Sequence, residues 1–212
     1  MQLVSGQKIA LNQLIQNDKK FTLRVQFKAS FDVDISSFGV GQKDKLFNDD
    51  YMTFYNQIKT PKSEVQYSQQ GNLNLFTFDL NKIDVSQTPR FVICATVAND
   101  QATMQNIQSG QIDLVNQQGE VLAIYQLNAS DFSQEKAVML TEIYFKNDLW
   151  RIAAIGQGFN SGLNALVRHF GAEVAEDLAP PMPTLSKLDL KKKVILDKIE
   201  QAAPHLLDLT KK

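Results

Sequence analysis

Between positions 21 and 155 apolar side chains recur in short segments, many alternating one-in-two with polar ones, and clusters of Asn, Gly, Asp or Gln separate the segments. A period of two marks strands with one covered face and one wet face. The pattern predicts strands over 21–27, 31–38, 52–55, 73–80, 91–97, 111–115, 121–127, 137–145 and 149–155. The segment Phe91-Val92-Ile93-Cys94-Ala95-Thr96-Val97 is almost continuously apolar, so it is expected to be central and covered on both faces. Asn116-Gln117-Gln118-Gly119 and Lys146-Asn147-Asp148 carry the residues of tight turns and predict two antiparallel hairpins. Nine strands without intervening long helices imply an all-β sandwich of two antiparallel sheets rather than a parallel α/β sheet.

After Ile155 the period changes. Gly156-Gln157-Gly158-Phe159-Asn160-Ser161-Gly162 reads as a tight strand-to-helix turn. Leu163, Leu166, Val167 and Phe170 follow at helical spacing, with Gly171 as a stop, so a short helix is expected near 162–170. Prolines 180, 181 and 183 then end any regular element. The organisation read from the chain is a sandwich domain over 1–175, a Pro-rich linker over 176–186 and a basic amphipathic tail over 187–212. The tail carries seven lysines and four acids, a charge of +3, and residues 1–186 carry −4. Leu188, Ile195, Ile199, Ala202, Leu206 and Leu209 form a helical stripe in it, interrupted at Pro204.

Composition narrows the function classes. A chain of 212 residues with 43% hydrophobic residues can build a sizeable core, and its formal charge of −1 leaves no field to gather nucleic acid or an anionic membrane. No apolar stretch approaches the roughly 20 residues of a membrane span, so a cytoplasmic protein is expected. One cysteine, Cys94, cannot staple the fold, and with two histidines it cannot supply an ordinary four-ligand zinc site. An oxygen-ligand metal is what remains.

Phe31-Asp32-Val33-Asp34-Ile35-Ser36 alternates perfectly, which predicts a row of side-chain oxygens from Asp32, Asp34 and Ser36 on one strand face. A hard cation such as calcium takes six to eight oxygens, so neighbouring loops must bring the rest. Asp49, Asp50, Asn56 and the pair Asn99-Asp100 are the candidates. An ordinary strand with a solvated polar face is the competing reading. No EF-hand loop is present.

The glycines at 156, 158 and 162 have the local setting of a phosphate loop, but their spacing and the lack of a βαβ unit favour a plain turn, with Ser161 as a helix cap. His169 suits a helix end, Cys94 an inert core thiol, and Trp150 core or rim packing, or a partner site if its ring is exposed. No constellation compels an enzyme, and no catalytic residue is assigned.

The run from Gly156 to Gly171, GQGFNSGLNALVRHFG, resembles the closing signature of the TerD family, the tellurium-resistance and stress-response proteins of bacteria. The start from Leu3 to Leu11, the segment from Phe31 to Phe38, Phe54-Tyr55-Asn56-Gln57 with Thr60-Pro61, the stretch from Gly119 to Leu127, and Glu142-Ile143-Tyr144 ahead of Trp150 fall in the same family order. The resemblance implies a β-sandwich that binds calcium through acidic loops at one end, acts in resistance to tellurite and other stresses without a catalytic reaction, and engages proteins of the same stress-response system. Carried over residue by residue, it implies Asp32, Asp34, Asp50, Asn56 and Asp100 as metal ligands. The family's acidic loop before residue 80 is replaced here by Ser68-Gln69-Gln70-Gly71-Asn72-Leu73-Asn74, which holds no carboxylate. With Lys28 also nearby, calcium binding is expected to be weak or lost. A metal-independent adaptor acting through the 187–212 tail is the alternative.

Overall fold

In strand β3 (Lys20–Lys28), Phe21, Leu23 and Val25 are at most 1% exposed, whereas Thr22 and Arg24 between them are half-buried and Lys20 and Gln26 on either side face solvent. That alternation needs a second layer to cover its apolar face, and the chain supplies one. Residues 1–98 and 101–171 are described by the structure, a computed structural model. The expected linker and tail lie outside the described residues.

The remaining elements are β1 (Gln2–Leu3), β2 (Lys8–Ala10), α1 (Asn12–Ile15), β4 (Val33–Val40), β5 (Met52–Thr53), β6 (Val65–Gln70) and β7 (Leu73–Asp79). They are followed by β8 (Arg90–Val97), β9 (Ser109–Val115), β10 (Val121–Leu127), β11 (Ala137–Lys146), β12 (Leu149–Phe159) and α2 (Gly162–His169). One six-stranded sheet runs β1-β10-β9-β3-β7-β6, the other β2-β12-β11-β8-β4-β5. Every pairing is antiparallel except the short one between β1 and β10. The all-β sandwich expected from the alternation is what the chain forms.

Between the sheets, Phe21 stacks on Phe78 with ring centroids 5.1 Å apart, and Phe78 meets Phe91 of the facing sheet edge-on at 5.9 Å. A second, smaller core lies on the outer face of the second sheet. There Leu166 and Phe170 of the α2 segment cover Phe38, Val40, Val92, Cys94 and Met139, with Phe170 stacked on Phe38 at 5.0 Å. The Leu46 amide donates to the Phe170 carbonyl at 2.8 Å and pins the end of the helix. Strand β8 is therefore covered on both faces, and burial pushes the Cys94 thiol well above its ordinary pKa.

Both expected hairpins form. Asn147 and Asp148 take left-handed φ values of 52° and 57°, the backbone of a two-residue turn between β11 and β12. The Asn116 side-chain oxygen accepts from the Gln118 and Glu120 amides and closes the other.

Three expectations are corrected. Residues 156–159 are not a turn: β12 continues through Phe159, and Gly158 pairs with Val138 of β11. Gly156, at φ 70°, sits where the register between these strands shifts, so the glycines serve a bulged strand rather than a phosphate loop. Ser161 occupies the helix N-cap position but its hydroxyl makes no capping bond. Finally, β4 begins at Val33 rather than at 31, so Asp32 stands immediately ahead of the strand, exposed between Phe31 and Val33, which pack on the core.

Candidate functional site

Strand β4 pairs along its length with β8, from Val33 opposite Val97, through Asp34 opposite Thr96, to Val40 opposite Arg90. Asp32 and Asp34 thus stand at the end where β8 leaves the sheet, Asp32 exposed and Asp34 half-buried. Strand β5 runs back along β4 with Thr53 opposite Ser37, and the tight turn from Phe54 to Gln57 then carries Tyr55 and Asn56 toward the same end. Burial first, and then the Asp34 carboxylate, push the phenols of Tyr55 and Tyr67 above their ordinary pKa. Their hydroxyls therefore stay protonated beside that charge. Tyr67 donates to Asn74 Oδ1 at 2.7 Å, which fixes one of these phenols.

Asp50 is placed elsewhere. It lies in a 3₁₀ turn, its amide donating to Asn48 Oδ1 at 3.0 Å, next to Tyr51. A Cβ at Gly39 would lie 2.9 Å from Tyr51 Cβ, so this turn abuts the far half of β4. Five strand positions separate Gly39 from Asp34, about 16 Å along the strand. Asp32, Asp34 and Asn56 share an end and Asp50 does not. Asp100 lies outside the described residues.

Among the described residues no three carboxylate, imidazole or thiol groups come together as a metal site. The side-chain oxygens of Asp32, Asp34 and Asn56 make up only part of the six to eight that calcium requires.

The Asn56 turn is held by groups that sequence reasoning missed. Gln57 Nε2 donates to the carbonyls of Asp49, at 2.7 Å, and Met52. Glu64, 1% exposed, accepts from Tyr51 Oη at 3.1 Å, Thr60 Oγ1 at 2.6 Å and the Lys62 amide at 2.9 Å. These bonds close the connection from β5 to β6 over a buried carboxylate, which tolerates burial because its oxygens are supplied with donors. The only hint in the sequence was Thr60-Pro61 four residues ahead of the acid.

The other candidates resolve as packing. His169 lies in the last turn of α2 with its ring 5.2 Å from those of both Phe159 and Phe170. Trp150 is half-buried against Phe145 at 5.4 Å. No helix among the described residues is long and apolar enough to cross a membrane.

A TerD domain matches residues 1–170 of the chain. The chain belongs to the TerD domain family. It is 31% identical over 156 residues to the tellurium resistance protein TerA of Alcaligenes sp, a match covering 66% of this chain and 43% of that protein. The chain therefore spans less than half the length of that relative. Over 139 residues, 61% of this chain and 99% of the other, it is 33% identical to the chemical-damaging agent resistance protein B of Clostridium acetobutylicum. Its fold is shared with a homologue of the telluride resistance protein from Streptomyces coelicolor A3(2), at a TM-score of 0.57 and 14% identity, covering 73% of this chain and 99% of that one. These relatives carry names of resistance proteins rather than of enzymes. Within this TerD domain the signature from Gly156 to Gly171 serves packing: Leu166 and Phe170 fill the outer core, and a Cβ at Gly156 would lie 2.9 Å from the Tyr125 hydroxyl.

Proposed function

We propose that the chain is a non-enzymatic stress-response module of tellurite and toxic-agent resistance, cytoplasmic, with a weak calcium site at the Asp32 and Asp34 end. The observation that carries this reading is the sharing of one sandwich end by Asp32, Asp34 and the Asn56 turn, in a TerD domain whose relatives are named for resistance. Few fixed charges limit affinity, so the dissociation constant is on the order of 10⁻⁴ M or weaker. Calorimetric titration of the full chain with calcium tests it. A weak response lost in the Asp32→Ala, Asp34→Ala double variant is expected, and submicromolar binding or binding unchanged in that variant overturns it.

The second reading, a metal-independent adaptor for proteins of the same stress-response system, is favoured by the charge asymmetry between a tail of +3 and a remainder of −4. A full chain silent to millimolar calcium favours the adaptor.

A further inference from the structure

At the end of the sandwich opposite Asp34, the α1 segment, the start of β3, the end of β7 and the β11–β12 hairpin enclose a cleft of about 250 Å³. Its walls are cross-tied by backbone: the Leu11 amide donates to the Trp150 carbonyl at 2.8 Å, and the Leu80 amide to the Lys19 carbonyl at 2.8 Å. The cleft is therefore part of the scaffold rather than a gap between loops. Leu11, Ile15 and Leu80, each at most 7% exposed, lie beneath its floor, and the surface it offers is aromatic at the half-buried Phe145 and Trp150, edge to face, and polar at Asn12 and Gln16.

Its charges are uncommitted. Asp18 and Asp148 line the cleft, and neither carboxylate makes an ion pair or a hydrogen bond among the described residues. Lys19 is the single cation of the lining, which leaves a net charge of −1. The adjacent Lys20 is engaged by Asp79 at 3.2 Å and does not neutralise the site. The Phe145 and Trp150 faces select a flat ring, and the excess carboxylate selects a positive charge on it. A volume below the roughly 300–1,000 Å³ of drug-sized pockets limits the ligand to about one ring.

We propose that this cleft binds a small organic cation in which a single aromatic ring carries an amine, the ring against Trp150 and Phe145 and the ammonium toward Asp18 and Asp148. The site is independent of the calcium reading, since Asp34 and the cleft lie at opposite ends of the sandwich.

Trp150 is the only tryptophan of the chain, so its emission reports occupancy directly. The full chain is titrated with phenethylamine and, separately, with 3-phenylpropionate, which offers a similar ring with the opposite charge. A saturable change with the amine, and a response to the acid at least about fivefold weaker, are expected. Asp18→Asn and Asp148→Asn should each weaken amine binding by about two- to fivefold. Asn tolerates the left-handed backbone at 148, so the hairpin is retained, and unchanged thermal midpoints check that both variants fold. No saturable response to the amine, equal affinity for the acid, or an unchanged amine affinity in the variant carrying both Asp18→Asn and Asp148→Asn overturns the proposal.

Discussion

Replacing Glu64 by Gln is the most direct probe of how the sandwich holds the turn that carries Asn56. Three donors converge on this carboxylate: Tyr51 Oη, Thr60 Oγ1 and the Lys62 amide. A hydrogen bond to a charged acceptor is worth about 1.5–3 kcal/mol. Thr60 and Lys62 share one carboxylate oxygen and Tyr51 holds the other, so a Gln amide oxygen that keeps the first two donors turns its NH₂ group on Tyr51. Thr60 loses least, because its single hydroxyl proton has the Val65 carbonyl, at 3.3 Å, as an alternative acceptor, and the Lys62 amide can reach water. The uncompensated loss falls on the buried Tyr51 hydroxyl and on the weakened remaining bonds. Glu64→Gln should therefore cost about 3 kcal/mol. For a domain of this size that is a fall of roughly 6–12 °C in melting temperature, which leaves the protein folded. Urea and thermal unfolding measure it. A double-mutant cycle with Tyr51→Phe isolates the phenol's share, expected at about 1 kcal/mol of coupling. A Glu64→Gln variant within about 0.5 kcal/mol of the parent, or strict additivity with Tyr51→Phe, refutes the assignment of Glu64 as the anchor.

Alkaline pH should act on the same group. Burial, then the neighbouring Glu64, raise the Tyr51 phenol from 10.0 to about 12, so its stabilising contribution is complete below 10.0 and disappears as pH rises through about 12. Urea midpoints measured across that window should fall, and fall less in Tyr51→Phe. At the other core, Phe170→Ala removes a ring 1% exposed and stacked on Phe38, a loss of about 3–5 kcal/mol with little expected effect on calcium or amine titrations, because the site residues lie elsewhere. Equal stability of this variant by urea unfolding would mean that α2 does not close the outer core.

The features legible along the chain were those set by local period and turn chemistry. Alternation at Phe21, Leu23 and Val25 requires a covered face wherever the strand ends up, and Asn147-Asp148 favours its turn through its own backbone. The continuous apolar run at 91–97 announced burial on both faces before the covering layers were known. Strands β1 and β2 hold two and three residues and exist because β10 and β12 offer them edges, which no local pattern records. β6 escaped because its solvent-facing half is glutamine and serine, with only Val65 and Tyr67 buried. The glycine run at 156–162 carried turn residues, yet pairing with β11 drew it into a strand, since backbone hydrogen bonds across a sheet outweigh a local preference. The acids near Asp34 could be named from the sequence, but not sorted. Asp50 and Asn56 flank the same two-residue strand, and only its antiparallel direction along β4 sends one toward Asp34 and the other away. Glu64, one acid among many in the sequence, became the anchor of that segment because folding buried it beneath three donors brought from separate positions of the chain.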